Sequence, residues 1–301
     1  MQDASNKEYD YDYRTLASSA VLTTLSIGVP SGRLLDRETS QKIAEEAKAT
    51  HGVLNAYKNI YSNSKELKAI ADYSQKVRQR HRAISLPFGD GGMRLLPEAR
   101  RAAHSELMSD SLVEWGELKD KFEEKLPDLH DVDKAKAIMG DLYDATNYKA
   151  MSEVMQKFSF NWNYLPVPDS GHFIIDNANA AAGDLIDRFE MHSKNSVNMA
   201  MKEAWDMLKR ELRRVSNNCR TKEQRDDGKT SRFGPQNYEN ALDLVETLSS
   251  YNITNDPNLE QAREEFEEIL NDTNDVKIKN SDTEKEKVKD GVDSILEKFG
   301  L

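Results

Sequence analysis

The chain is short of the residues that build covalent or metal frameworks. Cys219 is the only cysteine in 301 residues. That excludes an intrachain disulfide and a cysteine-ligated zinc site, and an inert single thiol is expected. No apolar run approaches the ~18–20 residues of a membrane span, so no membrane partner is expected. The opening Met-Gln-Asp-Ala-Ser-Asn-Lys-Glu has no basic-then-apolar leader pattern. A soluble, cytoplasmic protein is the expectation. The six histidines (His51, His81, His104, His130, His172, His192) are scattered, with no paired metal spacing. There is no P-loop, no dinucleotide glycine fingerprint and no nucleophile elbow. Leu86 to Gly92 is glycine-rich but lacks the Lys-Ser/Thr of a Walker turn. Asp131-Val132-Asp133 lacks the other ligands of a calcium loop. These absences point to a protein without a catalytic site, cofactor or metal.

Positive charge is also in deficit overall, with 42 Lys and Arg against 53 Asp and Glu, a net charge of −11. What positive charge there is gathers in two segments. Lys76, Arg78, Arg80, Arg82, Arg94, Arg100 and Arg101 face only Asp90 and Glu98 within their segment, a surplus of five. Lys209, Arg210, Arg213, Arg214, Arg220, Lys222, Arg225, Lys229 and Arg232 face four carboxylates, again a surplus of five. Concentrated cations on a negative body make a local anion site without general stickiness. Arginine outnumbers lysine twelve to four in the two segments, which suits planar recognition of phosphate and stacking on bases. The competing reading is a pair of solvated faces satisfied by nearby carboxylates.

Along the chain, residues 1–14 read as a flexible acidic-aromatic arm, 15–270 as a mainly helical nucleic-acid-binding body, and 271–301 as an acidic segment with an apolar tip. Ser18 to Val29 is β-branched and strand-like, ending at Pro30-Ser31-Gly32. Asp36 caps a helix to about Thr50, and Ser64 begins a stronger one. The stripe of that second helix is Leu67, Ile70, Ser74, Val77, His81 and Ile84. A helix after Pro97 is stopped by Pro127, and another is expected over 131–157. Phe158 to Leu165 alternates aromatic and polar residues as a second strand. A long helix is expected over 176–215, with a seam of Val197, Met201, Trp205, Leu208, Leu212 and Val215. Residues 216–235 read as loop, 236–250 and 257–270 as helices, and 271–283 as flexible. The fold class is therefore mainly α: an elongated helical domain with long helices and a small β ribbon (strands near 18–29 and 158–165).

Placed on these elements, Lys76/Arg80 and Arg78/Arg82 stack four apart in two rows. Gly89, Gly91 and Gly92 offer bare backbone to a phosphate, with Arg94, Arg100 and Arg101 after them. Arg210, Arg213 and Arg214 project opposite the seam. A single strand also needs stacking platforms. Phe88 and Phe233 lie inside the basic segments, and Trp162 and Tyr164 belong to an aromatic quartet with Phe158 and Phe160. The segment from Asp256 to Leu301 holds fourteen carboxylates and seven Lys or Arg. It could compete with nucleic acid for a basic groove, or recruit a partner through Ile295, Leu296, Phe299 and Leu301.

Three stretches carry a resemblance: Ser26-Ile27-Gly28-Val29-Pro30-Ser31-Gly32-Arg33, Leu86 through Pro97, and Phe160-Asn161-Trp162 followed by Pro166-Val167-Pro168. They resemble a bacterial and phage family whose bacterial members are often encoded near MoxR-type ATPase and von Willebrand-type genes. Among phage members the chain looks like the Drc-type early proteins of podoviruses carrying a virion RNA polymerase. The resemblance implies non-enzymatic binding of single-stranded DNA without sequence preference. It also implies recruitment of a phage RNA polymerase, with roles in transcription regulation and DNA replication in the infected bacterial host. It supplies no residue-level contact motif. A homo-oligomer or cooperative assembly along DNA is left open. The alternative is a non-enzymatic adaptor or scaffold partner of a MoxR-type AAA+ ATPase. A nuclease is disfavoured by the missing acid–base constellations.

Overall fold

The computed structural model describes residues 16–50, 52–61, 63–89, 92–167, 180–221, 224 and 233–301. The chain is mainly α with a small antiparallel sheet. Backbone contacts divide it into two units: residues 1–24, 84–102 and 164–301 form the first, and 25–83 and 103–163 the second. The expected arm at 1–14 lies outside the described residues, as do His51, Asp90, Gly91, Pro168, His172 and the expected helix start at 176–179.

In the first unit, α1 (Leu16–Ser19) runs into β1 (Ala20–Gly28), whose early residues are mostly buried and include the β-branched Val21, Thr23 and Thr24, as a strand favours. Two short strands, β4 (Leu86–Pro87) and β5 (Arg94–Pro97), form a hairpin, and β5 pairs antiparallel with β1 from Ala20↔Pro97 to Thr23↔Arg94. The helical part is α7 (Ala180–Asn218), α8 (Pro235–Tyr251), α9 (Pro257–Asn271), α10 (Asp275–Asn280) and α11 (Asp282–Phe299). The α7 seam from Val197 to Val215 is buried along its length, with Trp205 at its middle. Helical spacing of three and four put those residues on one stripe. Buried Asp256 caps α9, accepting from Asn258 N at 2.9 Å and from the Trp205 indole at 3.2 Å, so one carboxylate ties two helices. Cys219 is buried, and burial pushes its thiol up to about 12.

Two expectations on this unit change. Residues 271–283 are not a flexible linker: α10 occupies 275–280, capped by Asn274, whose Oδ1 accepts from Lys277 N at 2.9 Å. Ser281 then caps α11. Ile278 is fully buried and anchors the short helix, but a single apolar residue makes no periodicity to read. The long helix also runs past its expected end at Val215, to Asn218.

In the second unit the ribbon of β2 (Arg33–Asp36) and β3 (Ala56–Asn59) pairs antiparallel. Asp36 ends β2 and caps α2 (Arg37–Glu46), accepting from Thr39 N at 3.0 Å. Ser64 starts α3 (Lys65–Ala83), and its Oγ accepts from Leu67 N at 3.3 Å. The predicted α3 stripe is buried from Leu67 to His81 against α4 (Arg101–Leu129) residues Met108, Trp115, Phe122 and Leu126. The Trp115 indole donates to Ser74 Oγ at 3.1 Å, and Ser74 Oγ donates to Ile70 O at 2.7 Å. Polar Ser74 therefore fits a core stripe because both of its hydrogen-bonding roles are filled. β6 (Ser159–Pro166) neighbours β1 in the sheet order β4–β5–β1–β6, and Ser159 Oγ accepts from Gly28 N at 3.1 Å.

The helix expected over 131–157 is instead two short ones. α5 (Val132–Met139) ends at Gly140, which takes φ +54°, a conformation that stops a helix. Two 3₁₀ turns follow before α6 (Met151–Met155). Pro127 does not itself end α4, which continues to Leu129. A proline removes one donor and crowds the carbonyl four residues back, so the helix closes within that turn.

Candidate nucleic-acid interface

The structure sorts the sequence-predicted cations by what they already bind. Arg94 donates to the Ser85 hydroxyl and carbonyl, and Arg100 donates to Ser250 Oγ and Thr247 Oγ1, both at 3.0 Å. These two arginines fasten the β5 region to its own unit. Arg101 pairs with Glu98 at 2.7 Å, Arg210 with Glu203 at 2.9 Å and Arg214 with Glu211 at 2.7 Å. Burial pushes the Glu211 carboxyl up, and Arg214 works against that. Arg213 and Arg220 are exposed. Lys222, Arg225, Lys229 and Arg232 lie outside the described residues. The second basic segment is therefore answered in part by Glu211 within it and by Glu203 just before it.

On α3 the cations divide by helical angle. Lys76 and Arg80 point away from the core, both exposed. Arg78 flanks the core stripe, and its Nη2 donates to Ile27 O at 2.6 Å, pinning the end of β1. Ala71, Gln75 and Arg78 follow one another at spacings of four and three, one row along the helix. That row faces a groove of about 560 Å³, whose other bank is Ile27 to Ser31 and Arg33; Arg82, one turn on, does not line it. Lys68 lies on the same bank as the row.

The turn at Pro30–Arg33 separates this groove from a second cavity of about 490 Å³. Gly32 takes φ +65°, which glycine adopts without strain. Its carbonyl accepts from Ile60 N and Tyr61 N, both at 2.9 Å, locking the turn to the chain after β3. Ser31 Oγ accepts from Arg33 N at 3.3 Å and fixes where Arg33 leaves the turn. Arg33 borders both cavities, Lys68 and Arg78 the first, Lys149 and Lys157 the second. No Asp or Glu lines either one, among the described residues. Arg33, Lys68, Lys149 and Lys157 are exposed and make no ion pair among the described residues. Five cations around one turn, on a chain of net charge −11, form the anion-attracting region of this unit.

The stacking candidates fare unequally. Phe88 and Phe233 are 5% and 2% exposed and sit in the first unit's core, so neither ring offers a face to a base. Their aromatic bulk fills the core where the basic segments pass it. Trp162 is half-buried, edge-on to Phe160 at 6.0 Å, and Tyr164 is half-buried. Phe158 and Phe160 pack on Trp115. The apolar tip is likewise not free. Ile295 is buried, Leu296, Phe299 and Leu301 pack on the first unit's core, and the Phe299 ring lies 6.0 Å from Trp205. An amphipathic terminal helix buries its apolar side in the nearest core, which here is the α7 seam.

Arg33, Lys68, Lys149 and Lys157 escaped the sequence reading because none of them lies in a dense run of cations. A signal for the first existed: Pro30-Ser31-Gly32-Arg33 is a turn ending in a cation. The histidines conceal a contact too, since His81 Nδ1 and His104 Nε2 lie 2.8 Å apart in the core. Among the described residues, no group of three or more His, Cys, Asp or Glu could hold a metal, and no helix is long and apolar enough to cross a membrane. Comparison with protein-family models, curated proteins and solved structures finds no match for this chain.

Proposed function

We propose that this chain binds single-stranded DNA without sequence preference, through the groove between α3 and the Pro30–Arg33 turn. The observation that carries the reading is the pair of adjoining cavities lined by five Lys or Arg and no carboxylate. Phosphate is attracted there and repelled from the acidic surface elsewhere. A volume of about 560 Å³ is of small-ligand scale, which favours a threaded strand over a duplex. A duplex also presents more charge per length to the surrounding carboxylates. Contacts through charge and backbone read no sequence, and Trp162 remains available in the same unit for a stacked base. The role is binding without chemistry.

The resemblance to Drc-type early proteins supports the wider part of the proposal. In it, the chain acts as a transcription cofactor in the cytoplasm of an infected bacterium, bringing a phage RNA polymerase to single-stranded or melted DNA, with a replication role. The test is a gel-shift titration with mixed-sequence oligonucleotides, each as single strand and as duplex. Preferential binding of the strand, alike for all sequences, is expected. Equal retention of the duplex, or affinity that follows base sequence, would sink the reading.

A further inference from the structure

The second cavity differs from the groove in one respect that electrostatics alone does not explain. It has an apolar wall. Leu34, Ile60 and Val154 line it beside Lys149 and Lys157. Leu34 is 41% exposed although strand-borne and apolar. A site for a bare anion has no use for such a wall, because phosphate gains nothing from apolar contact. Asn147 lines the cavity, and its Nδ2 is shielded from solvent and makes no hydrogen bond. Turned into the cavity, that amide would gain the acceptor it lacks. Its neighbour is already committed, since Thr146 Oγ1 donates to Asp144 at 2.7 Å. The walls are held firmly. Tyr61 donates to or accepts from His130 Nε2 at 2.7 Å and stacks on its ring, and the Gly32 carbonyl fixes Ile60 and Tyr61.

The matching ligand has a negative group, a flat apolar body and acceptors along its edge. We infer that this cavity is a nucleoside monophosphate pocket, with the phosphate on Lys149, Lys157 and Arg33, the base against Leu34, Ile60 and Val154, and Asn147 Nδ2 donating to an acceptor on the base. Every common base has such an acceptor and an apolar face, so the pocket distinguishes nucleotides from bare anions rather than one base from another. A volume of about 490 Å³ suits a ligand of that size. The nucleotide could come free or as the phosphorylated end of a strand, and the chemistry is the same. The inference does not require strand binding in the neighbouring groove.

Isothermal titration of the full chain with dAMP, dTMP, deoxyadenosine and inorganic phosphate is the test. The two nucleotides are expected to bind alike, and each at least tenfold more tightly than the nucleoside or phosphate. Lys149→Ala with Lys157→Ala is expected to weaken dAMP about tenfold or more, as is Asn147→Asp, which replaces the donor by an acceptor at equal size. Lys68→Ala lies outside the cavity and is expected to leave dAMP binding unchanged while weakening strand binding. The failure of one proposal is thereby separable from failure of the other. Displacement of labelled dAMP by a 5′-phosphorylated oligonucleotide, but not by its unphosphorylated twin, assigns the pocket to a strand end. Displacement by neither assigns it to free nucleotide. Phosphate binding as tightly as dAMP, no dAMP binding at millimolar concentration, or equal displacement by both oligonucleotides would overturn the pocket.

Discussion

Removing Arg33 and Lys68 together tests whether the α3 groove is the phosphate track. Both side chains are exposed and both border the groove. Neither makes an ion pair among the described residues, so truncation to alanine strands no partner. Surface changes of this kind are usually worth within about 0.5 kcal/mol of stability. The effect on binding should be far larger. Each phosphate contact to a single strand contributes about −0.7 to the slope of log K against log salt. Losing two contacts flattens that slope by about 1.4. From a common affinity near 1 M salt, the double variant is then weaker by about 25-fold at 0.1 M. The control is Lys76→Ala with Arg80→Ala, which removes the same charge from the outward face of α3. Long-range attraction falls equally in both variants, but only the groove variant loses contacts. Fluorescence anisotropy with a labelled mixed-sequence strand, across salt concentrations, measures both slopes. Equal slopes for the two double variants would refute a localised track. An unchanged slope in the groove variant would refute the site altogether.

Three further outcomes follow from the structure. Desolvation holds the buried His104 imidazole down at about 4, below its ordinary 6.5. The unfolded chain therefore binds a proton that the folded chain refuses, and stability falls as pH drops from about 6.5 toward 4, by at most about 1.4 kcal/mol per pH unit. Urea titrations across that range should show the loss, and His104→Gln should flatten it; a pH-independent midpoint would contradict a buried, neutral His104. Phe299→Ala should cost about 2 kcal/mol, below the ~3–5 of a fully buried phenylalanine, with strand affinity unchanged. A normal urea midpoint would instead mean that the apolar end of α11 is free for a partner. Cys219, buried with its thiol at about 12, should react with a thiol reagent only on unfolding, and stoichiometric labelling of the native chain would contradict its burial.

The helices were legible where periodicity was long. The stripe of α3 and the seam of α7 were readable residue by residue, because a packed helix needs apolar side chains at every third or fourth position over several turns. Asp36 and Ser64 were readable as caps for the same local reason. Strand candidates at both ends of the aromatic and β-branched runs fell beside each other as β1 and β6. Reading failed where one residue decides. Gly140 breaks 131–157 through a backbone angle that no periodicity reports. Ile278 anchors α10 alone. Phe88 and Phe233 looked like platforms because of the charges beside them in sequence, but neighbours in sequence point to different surroundings once a segment turns.

The basic segments show why local charge counting misplaces a site. Counting compares cations with carboxylates nearby along the chain, whereas a cation is answered by whatever lies within a few ångströms. Arg210 is answered by Glu203, seven residues away, and Arg100 by Ser250 and Thr247 from another helix. Six of the segments' arginines, Arg78, Arg94, Arg100, Arg101, Arg210 and Arg214, thus have their charge or their donors already engaged. Arg33, Lys68, Lys149 and Lys157 come from four separate stretches and are surplus only after folding brings them round one turn. Asp72 stands four residues from Lys68, and Glu153 four from both Lys149 and Lys157, yet none of these cations makes an ion pair among the described residues. A binding surface on an acidic chain therefore consists of cations that the fold leaves unpaired, and in this chain they gather at the Gly32 turn.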